Sequence, residues 1–427
     1  MGCNFTNKTL VFFTAEFPFG KGETFVENEL PFLEEYFDKI IIVSNSTEDP
    51  LVRKVSNKIR LIRTPYRASN CYRLKVFLYL FGIDFLREII FAFRTVGLLN
   101  FFSAFSFQLS SYAKALEVKD MIDDLVWHDL KVGNHIYLYS YWLYDMTLGM
   151  VLFKRNHPEV VAVSRSHRWD LYFETNSLNY LPFRRAMING VDKCYVISED
   201  GIEYMLRRIP GMDKTKLALS RLGTFNDLYL NSKSRNDVYT IVSCSTLTKP
   251  KRVHLIIEAL SDIAAIKVRW IHFGDGLLRR EIEELAERKL KDNTNVNYQF
   301  TGSKPNSEIL DFYFNNRIDL FVNVSDSEGV PVSIMEALSF GSPVVATNVG
   351  GNKEIIEDGV NGYLLPPDFS SDQLREKIKS FHNLTEAEKQ EWSHNCFSSW
   401  EHKFNARKNY NQFTADIINL HSTVNER

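Results

Sequence analysis

The sequence lacks the features that define several common protein classes. Its five cysteines are widely scattered and form no CxxC pair, which argues against paired-thiol zinc and redox sites and favours a reducing compartment. Residues 1–8 lack the positive start and apolar centre of a signal peptide, so a cytoplasmic protein is expected. The formal net charge is only -2, which gives no global electrostatic reason to expect nucleic acid as a partner.

Metal-binding and repeat patterns are also missing. The ten histidines contain no HExxH motif and no tight cluster, and we therefore predict no metal site. No period of 20 to 50 residues recurs, which argues against a repeat array. With 44% hydrophobic and 24% charged residues, the composition is that of an ordinary globular protein.

The length indicates two domains, because 427 residues exceed what one hydrophobic core organises. Residues 231–237 read NSKSRND, a polar stretch without an apolar anchor, and are the best candidate for a linker. We predict an N-terminal domain over 1–230 and a C-terminal domain over 231–405. Residues 406–427 are expected to form a helix that packs back on the N-terminal domain, with a ligand cleft between the domains.

Both halves alternate apolar runs with helical patterns, which is typical of an α/β fold with parallel sheets. We predict two Rossmann-like, doubly wound domains, in which ligands bind at the carboxyl ends of the strands. The predicted strands lie at 9–14, 39–44, 135–142, 160–163 and 194–198, and at 238–244, 268–273, 296–300, 320–324 and 344–347.

Residues 74–113 are rich in Phe and Leu, and 95–113 carry no charge. Polar side chains such as Asn100 and Gln108 interrupt the run, whereas a membrane span wants about 20 predominantly apolar residues. The segment is interpreted as amphipathic helices that pack internally or form a wall of the acceptor domain. The alternatives are a surface that touches lipid and, least favoured, a true span.

The densest motif is residues 325–337, SDSEGVPVSIMEA, directly after a predicted strand. Pro331 suits a first helical turn, so Glu328 precedes the helix and Glu336 lies on it, about 7 to 8 Å along the axis. The two carboxylates can grip different parts of one ligand. The amides listed next can bind an anion at the helix start: Gly329, Val330, Val332 and Ser333. The alternative is that Glu328 caps the helix and Glu336 is a solvated surface residue.

The spacing of Glu328 and Glu336, with seven residues between them, resembles the signature of retaining glycosyltransferases of family 4, which have the GT-B architecture of two Rossmann domains. The resemblance covers most of residues 238–367. It extends to loops after three other strands in the order that the family shows: Gly274 and Gly276, Thr301 and Gly302, and Gly350 and Gly351.

The resemblance implies roles for individual residues. Glu328 is expected to hold the donor sugar, Glu336 the nucleotide ribose, and Lys251 the pyrophosphate. Ser245 and Thr246 replace the usual Gly-Arg, so one expected cation is missing, and Lys249 or Arg252 is a candidate substitute. A cation near the departing diphosphate would stabilise the transition state. Basic residues that merely solvate a helix start remain the alternative.

In the N-terminal half, the loop with Gly20 and Gly22 resembles the family's loop over the donor phosphates, and glycines permit close approach of the backbone. His167 lies in a segment that resembles the one with an active-site histidine near the sugar. It is not assigned as a general base. The alternatives are that the glycine loop is a plain strand-to-helix turn and that His167 has only a structural role. The loops 198–199 and 221–224 also resemble cleft-facing segments.

The resemblance therefore implies retaining, metal-independent transfer of a hexose from a UDP- or GDP-sugar to a glycan or a lipid-linked glycan, in the synthesis of a surface polysaccharide. No DxD triplet of metal-dependent transferases is present; SDSE at 325–328 is a poor match. The expected location is cytoplasmic, with peripheral contact to the inner membrane face through 74–113. Two alternatives stay open, namely a nucleotide-sugar hydrolase or epimerase and a non-catalytic carbohydrate-binding scaffold.

Overall fold

The structure is a computed structural model that describes residues 7–20, 22–46, 49–226 and 238–425, with side chains up to residue 422. The chain divides into an N-terminal unit, Met1–Arg221 with Tyr410–Arg427, and a C-terminal unit, Leu222–Asn409. The linker predicted at 231–237 lies outside the described residues. Thr224 pairs with Asn405, and a side chain at Gly223 would meet the backbone of Ala406, so both segments fall in the C-terminal unit.

The N-terminal unit contains a parallel sheet in the order β3-β2-β1-β4-β5-β6-β7. The central strands are buried along almost their whole length, as is typical of parallel strands covered on both faces, and β1 and β2 are mostly apolar. The strands are β1 (Lys8–Thr14), β2 (Lys39–Ser44), β3 (Ile59–Arg63), β4 (His135–Ser140), β5 (Val161–Ser166), β6 (Lys193–Val196) and β7 (Leu217–Leu219).

Helices connect these strands and cover the sheet. The long α3 makes its most extensive contacts with α4, whose residues between Met146 and Phe153 are all buried. The helices are α1 (Thr24–Tyr36), α2 (Asn70–Lys75), α3 (Ile83–Lys131), α4 (Asp145–Lys154), α5 (Arg168–Leu171), α6 (Arg184–Gly190) and α7 (Glu199–Arg208).

The C-terminal unit has a second parallel sheet, in the order β10-β9-β8-β11-β12-β13. This is the doubly wound order in which the chain reverses direction next to β8, at the β8-β11 pair. Its strands are β8 (Tyr239–Cys244), β9 (Val268–Phe273), β10 (Val296–Phe300), β11 (Leu320–Asn323), β12 (Val344–Thr347) and β13 (Gly362–Leu365). Its helices are α8 (His254–Ser261), α9 (Arg279–Leu290), α10 (Asn306–Asn315), α11 (Val332–Ser339), α12 (Asn352–Ile355), α13 (Ser371–His382) and α14 (Glu386–Lys403).

The last helix, α15 (Ala406–Asn425), belongs to the N-terminal unit from Tyr410 onward. Phe413 and Ile417 are buried in the same cluster as Phe12 of β1. The Phe413 ring lies 5.2 Å from the ring of Tyr139 and 4.9 Å from that of Tyr195, centroid to centroid. These apolar contacts hold the end of the chain on the first sheet.

The two doubly wound parallel sheets predicted from the sequence are confirmed. Three strands escaped prediction: β3, β7 and β13. Each lies at the edge of its sheet. Arg60 and Arg63 interrupt the apolar pattern of β3, whereas β7 and β13 have only three and four residues, too few to stand out as strands.

Most of the segment 74–113, predicted to form amphipathic helices, is helical: it contains the end of α2, a 3-10 turn (Val76–Tyr79) and much of α3, which is not straight. Gly97 has φ 70° and ψ -179°, values that interrupt the helix and suit only glycine. By length and composition alone, α3 passes as a membrane-spanning helix, and its apolar window is mostly exposed.

Candidate active site

The candidate site of the C-terminal unit lies where β8, β11 and β12 end and their loops lead into helices. A short 3-10 turn, Lys249–Lys251, follows β8, and the motif 325–337 follows β11. These are adjacent strands of the sheet, so their carboxyl ends meet at the same edge. The sheet order therefore brings together residues that are about 80 positions apart in the sequence.

Lys251 and Glu328 form an ion pair in which Nζ lies 2.7 Å from Oε1. Asn323, the last residue of β11, donates a second hydrogen bond from Nδ2 to the same oxygen, at 3.2 Å. The Glu328 side chain is nearly buried while Lys251 keeps about a quarter of its surface exposed. A carboxylate oriented by two donors on one oxygen leaves its other oxygen for a ligand hydroxyl.

Arg252, the neighbour of Lys251, points its guanidinium at the strand ends instead. It donates to the carbonyls of Val324 and Pro367 at 2.8 and 2.7 Å, and to Oγ1 of Thr347 at 3.2 Å. Its backbone is in the left-handed region, with φ 46°. The donors of Arg252 are thus engaged by the chain at the ends of β11, β12 and β13. Exposed Lys249, by contrast, has no side-chain partner among the described residues.

The start of α11 carries the amides predicted to bind an anion. Pro331 is the N-cap and offers no side-chain cap, and Val332 and Ser333 form the first turn, whose amides have no intrahelical acceptor. Gly351 N donates to Gly329 O at 2.7 Å and locks the preceding loop. The helix is eight residues long, with its positive end at this edge of the sheet.

Gly350 and Gly351 have no room for a side chain. A Cβ atom at Gly350 would lie 2.0 Å from Glu328 O, and one at Gly351 would lie 2.4 Å from Gly329 O. Gly350 also has φ 50°. The glycine pair therefore lets the loop after β12 pack directly on the loop that carries Glu328.

Glu336 is only 5% exposed, so the alternative that it is a solvated surface residue is wrong. Its Oε1 accepts a hydrogen bond of 2.7 Å from Asn306 Nδ2 at the start of α10. Burial raises the pKa of Glu336 to about 7, and the Asn306 bond only partly offsets this. A buried carboxyl with one fixed donor can exchange hydrogen bonds with a pair of ligand hydroxyls.

Gly274 and Gly276 let the loop after β9 pack closely on the loop after β8. A Cβ atom at Gly274 would lie 1.8 Å from Ser245 O, and one at Gly276 would lie 2.4 Å from Leu247 O. His272 in the same region is buried and bonded through Nδ1 to Ser243 Oγ and through Nε2 to Ser245 O. These contacts fix the loop after β8 around Thr246, where the family's usual arginine is missing.

The glycine loop of the N-terminal unit is held by two carboxylates. Glu23 accepts hydrogen bonds from the backbone amides of residues 15, 16 and 17, at 2.6 to 2.8 Å. Glu16 accepts from Gly22 N at 3.0 Å, and its side chain also fills the space beside Gly20, which has φ +68°. In this conformation glutamates occupy the amides that an anion would use.

His167 lies directly after β5 and is 7% exposed. Its ring packs against Tyr141 and Trp142, with centroid distances of 4.5 and 4.7 Å. Burial, reinforced by the charge of Arg165, holds the pKa of His167 well below its usual value, so the ring is neutral near pH 7. Asp170 accepts from His167 N and fixes the backbone of this turn.

The N-terminal unit also contains a cavity of about 240 Å³ that the sequence did not reveal. It opens at the ends of β1, β2 and β4 and combines aromatic side chains with buried charges. The residues that define its chemistry are Tyr66, Trp142, Tyr144 and Trp169 among the aromatics, and Lys114, Asp145 and Arg184 among the charges.

The structure thus places Lys251 in contact with Glu328, and Gly350 and Gly351 against the Glu328 loop. It shows no direct contact between Glu328 and Glu336 among the described residues. Sequence reasoning missed Asn323 and Asn306. Asn323 closes the strand just ahead of the motif and could have been singled out, whereas Asn306 becomes relevant only because α10 packs beside α11.

The chain is similar to known glycosyltransferases. The family described as "Glycosyl transferases group 1" matches residues 230–395. Putative colanic acid biosynthesis glycosyltransferase WcaL of Escherichia coli is 28% identical over 204 residues, which are 46% of this chain and 49% of the relative. Amylovoran biosynthesis glycosyltransferase AmsK of Erwinia amylovora is 29% identical over 36% of this chain and 40% of its own length. The chain spans less than half the length of these relatives.

Solved structures share the fold along nearly the whole chain. Anabaena HepE in complex with UDP and glucose has a TM-score of 0.63 at 18% identity and covers 96% of this chain and 99% of its own. The apo form of the lipopolysaccharide outer core galactosyltransferase WaaB has a TM-score of 0.65 at 14% identity, with 96% and 99% covered. At such identities the likeness shows a common fold, with two α/β units.

Proposed function

Since residues 230–395 form a glycosyl transferases group 1 domain in a chain of GT-B fold, we propose that the protein is a retaining glycosyltransferase. It transfers a hexose from a UDP- or GDP-sugar to a glycan hydroxyl in the synthesis of a surface polysaccharide. The observation that carries the proposal is the cluster of Lys251, Glu328 and the free amides of α11 at one sheet edge. WcaL and AmsK, named for polysaccharide synthesis, support the pathway.

In this proposal the donor lies along the carboxyl ends of β8, β11 and β12. The diphosphate binds at the start of α11, where the amides and the helix dipole favour negative charge. Lys251 supplies a cation there, and Glu328 accepts hydrogen bonds from hydroxyls of the sugar. Glu336 binds the ribose hydroxyls about one and a half turns into the helix.

The reaction is a substitution at the anomeric carbon. The acceptor oxygen forms a bond to this carbon on the face from which the nucleotide leaves, and the bond from the carbon to the phosphate oxygen breaks with its electron pair. The acceptor proton passes to the departing phosphate oxygen. Lys251 and the α11 amides stabilise the negative charge that develops, more in the transition state than in the ground state.

The cavity of the N-terminal unit is the proposed acceptor site. Flat aromatic surfaces at Trp142, Tyr144 and Trp169 suit the apolar faces of sugar rings, and the charged groups of Lys114 and Asp145 suit hydroxyls. His167 lies behind Trp142 and, being neutral, is proposed to position a sugar hydroxyl and not to remove a proton.

No metal is assigned to the reaction in this proposal. Among the residues that the structure describes, no group of three or more His, Cys, Asp or Glu side chains could hold an ion. The charge on the diphosphate is instead met by Lys251 and backbone amides. Full transfer activity in the presence of EDTA is the expected result.

The first test is a panel of nucleotide sugars incubated with the full chain and oligosaccharide acceptors, with release of nucleoside diphosphate as the readout. Release that needs both donor and acceptor, and a product with the donor's anomeric configuration, is expected. Release without acceptor identifies a hydrolase or epimerase, and binding without release identifies a carbohydrate-binding scaffold; either result overturns the proposal.

A thermal-shift screen with UDP, GDP and their sugars selects the donor before this assay, because a ligand of the folded state raises its melting temperature. At a ligand concentration 100 times the Kd, the stabilisation is about 2.7 kcal/mol. Glu308→Ala, at an exposed position of the same unit, is the matched control for changes at Glu328.

A cytoplasmic location with peripheral membrane contact is part of the same proposal. Cys71, Cys194, Cys244 and Cys396 are free thiols in the structure, which fits a reducing compartment. Residues 74–113 present many exposed apolar side chains, and a lipid-linked acceptor would bring the enzyme to a membrane. Sedimentation with lipid vesicles tests this contact.

A further inference from the structure

The two arms of α3 around Gly97 form a helical hairpin. The rings of Phe93 and Phe101 lie 5.7 Å apart and those of Phe85 and Phe105 lie 6.3 Å apart. Gln108 donates to Glu88 O at 3.3 Å. Residues near Gly97 on the first arm contact residues near Gly97 on the second, and residues farther from Gly97 contact residues farther from it. The arm 83–96 therefore runs antiparallel to the arm that follows Gly97.

The hairpin leaves a large apolar surface uncovered. Along the first arm, Ile83, Leu86, Ile90 and Phe93 follow the spacing of one helical face and are all exposed. At the tip, Leu99 is 96% exposed. The apolar side chains of this surface, called the apolar hairpin face below, are Leu74, Phe77, Leu78, Phe81, Ile83, Leu86, Ile90, Phe93, Leu98, Leu99 and Phe102. So many exposed apolar side chains on one segment of the chain indicate an interaction site.

A basic cavity of about 390 Å³ borders the apolar hairpin face. Ile90 belongs to both, so the two features are continuous. Four arginines line the cavity, namely Arg87, Arg94, Arg155 and Arg185. This cavity, called the arginine cavity below, is separate from the acceptor cavity and from the nucleotide site.

The acidic residues of the arginine cavity are already engaged. Asp84 forms an ion pair with Arg155, and the buried carboxyl of Glu88 accepts a hydrogen bond of 2.5 Å from Tyr180. Burial raises the pKa of Glu88 to about 7, which removes part of its negative charge near neutral pH. Arg87, Arg94 and Arg185 have no acidic partner among the described residues, so they leave a net positive cavity beside an apolar surface.

The charge of this segment contrasts with the near-neutral chain. Between residues 66 and 103 the only acids are Asp84 and Glu88, whereas the bases are Arg67, Arg73, Lys75, Arg87 and Arg94. Exposed Leu and Phe side chains next to unpaired arginines are typical of surfaces that lie in the interface of an anionic membrane. Neither the apolar hairpin face nor the arginine cavity alone indicates a lipid, but the two side by side match a lipid with an apolar tail and an anionic headgroup.

We infer that the apolar hairpin face inserts into a bilayer of anionic phospholipid, and that Arg87, Arg94 and Arg185 hold a headgroup phosphate in the arginine cavity. The inference rests on the proposed membrane contact and names its lipid. The hairpin lies in the interface and does not cross the bilayer. The arm 83–96 is about 21 Å long at 1.5 Å per residue, shorter than the hydrocarbon core of about 30 Å.

The test is co-sedimentation of the full chain with vesicles of phosphatidylcholine alone and with vesicles that also contain about one third phosphatidylglycerol. Binding to the anionic vesicles, at least about tenfold tighter than to the neutral ones, is expected. Leu98→Ser with Leu99→Ser should weaken it by more than about 100-fold, because two leucines lose their burial in lipid. Arg87→Ala with Arg94→Ala should weaken it by about 30-fold.

Matched controls lie on the C-terminal unit. Leu277→Ser removes a leucine that is also 96% exposed, and Arg280→Ala removes an exposed arginine; both should bind vesicles like the wild type. The melting temperature of every variant is measured with and without the selected nucleotide. An unchanged nucleotide response shows that both the fold and the donor site are intact, independently of lipid binding.

The outcomes are distinct. No binding to either vesicle overturns the membrane contact as well as the lipid assignment. Equal binding to both vesicles overturns the assignment of an anionic headgroup but leaves the membrane contact. Release of the protein from neutral and anionic vesicles alike by millimolar glycerol phosphate has the same meaning. A wild-type dimer that becomes monomeric in the leucine variant, without vesicle binding, assigns the apolar hairpin face to a second copy and overturns the proposal.

Discussion

The two units place charged groups at their strand ends in different ways. In the C-terminal unit, Lys251 and Glu328 form a pair that remains partly exposed to solvent. In the N-terminal unit, Arg165 at the end of β5 pairs with Glu29 of α1 at 3.1 Å, and both side chains are fully buried. The first pair can exchange its partner for a ligand. The second is enclosed by Tyr139 and Phe413 and can only hold the fold.

This difference shows that an ion pair near a strand end is not by itself a sign of a site. Burial raises the pKa of Glu29, although the charge of Arg165 opposes the shift. A buried pair stabilises little in net terms, but the loss of one partner leaves an uncompensated charge. The accessible pair should therefore affect catalysis, and the buried pair should affect stability.

The largest effect is expected at the buried pair. Arg165→Met should lower the free energy of unfolding by about 3 to 5 kcal/mol, because the Glu29 carboxyl loses its cation in a dry environment. Thermal unfolding of the full chain measures this. Arg280→Met breaks an exposed pair with Glu284 and should leave the melting temperature unchanged. If both variants melt like the wild type, the contrast between the pairs is wrong.

Glu328→Ala should reduce kcat by about 10² to 10³-fold, which is the usual cost of losing one group that contacts the reacting centre. The melting temperature should change little, since Lys251 can reach solvent. Steady-state transfer with the selected donor measures the rate, with Glu308→Ala as control. Undiminished turnover of Glu328→Ala would show that this carboxylate does not contact the sugar.

Substitutions of the neighbouring basic residues Lys249, Lys251 and Arg252 should have different effects on activity and on stability. Lys251→Ala should lower kcat/KM by about 10 to 100-fold with an intact fold. Arg252→Ala should instead lower the melting temperature, because the carbonyls of Val324 and Pro367 lose their donor. Lys249→Ala should change neither. If Arg252→Ala loses nucleotide binding without losing stability, this arginine binds the phosphates and the assignment to the strand ends is wrong.

The smallest effect concerns protons at Glu336. Its pKa is about 7 in the free protein, and hydroxyl donors from a ribose favour the ionised form, so nucleotide binding should lower the pKa. Binding at pH 6.5 should therefore release a fraction of a proton. Calorimetry in two buffers of different ionisation enthalpy detects it, and Glu336→Gln should abolish it.

The raised pKa of Glu336 also predicts that the stability of the protein depends on pH. The folded pKa of Glu336 is raised, so its contribution to the free energy of unfolding is full below about pH 4.5 and is lost as the pH rises to about 7. The melting temperature of Glu336→Gln relative to the wild type should increase over this interval. A constant difference from pH 5 to pH 8 would contradict the raised pKa.

The sequence predicted the sheet architecture because buried parallel strands appear as apolar runs, and it predicted the motif because Glu328, Pro331 and Glu336 are close in the chain. It could not predict partners that come from other elements. The role of Asn306 depends on the packing of α10 beside α11, and that of Arg252 depends on three strand ends. Edge strands such as β3 were missed because Arg60 and Arg63 break the apolar pattern.

The acceptor half of the site was the least predictable from sequence. The cavity of the N-terminal unit combines side chains from nine separate stretches between Phe13 and Arg184, and none of them forms a local motif. The assignments of Gly20, Gly22 and His167 as site residues stay predictions. The structure shows the first two beside Glu16 and the third beneath Trp142.

The contact of Gly350 and Gly351 with the Glu328 loop has a mechanical consequence. Because the two backbones touch and share the Gly351 hydrogen bond, they form a single stiff rim at the end of β11 and β12. A displacement of Glu328 toward a sugar must carry the start of α12 with it. The position of the Glu328 carboxylate is therefore fixed by the sheet, although the residue lies on a loop.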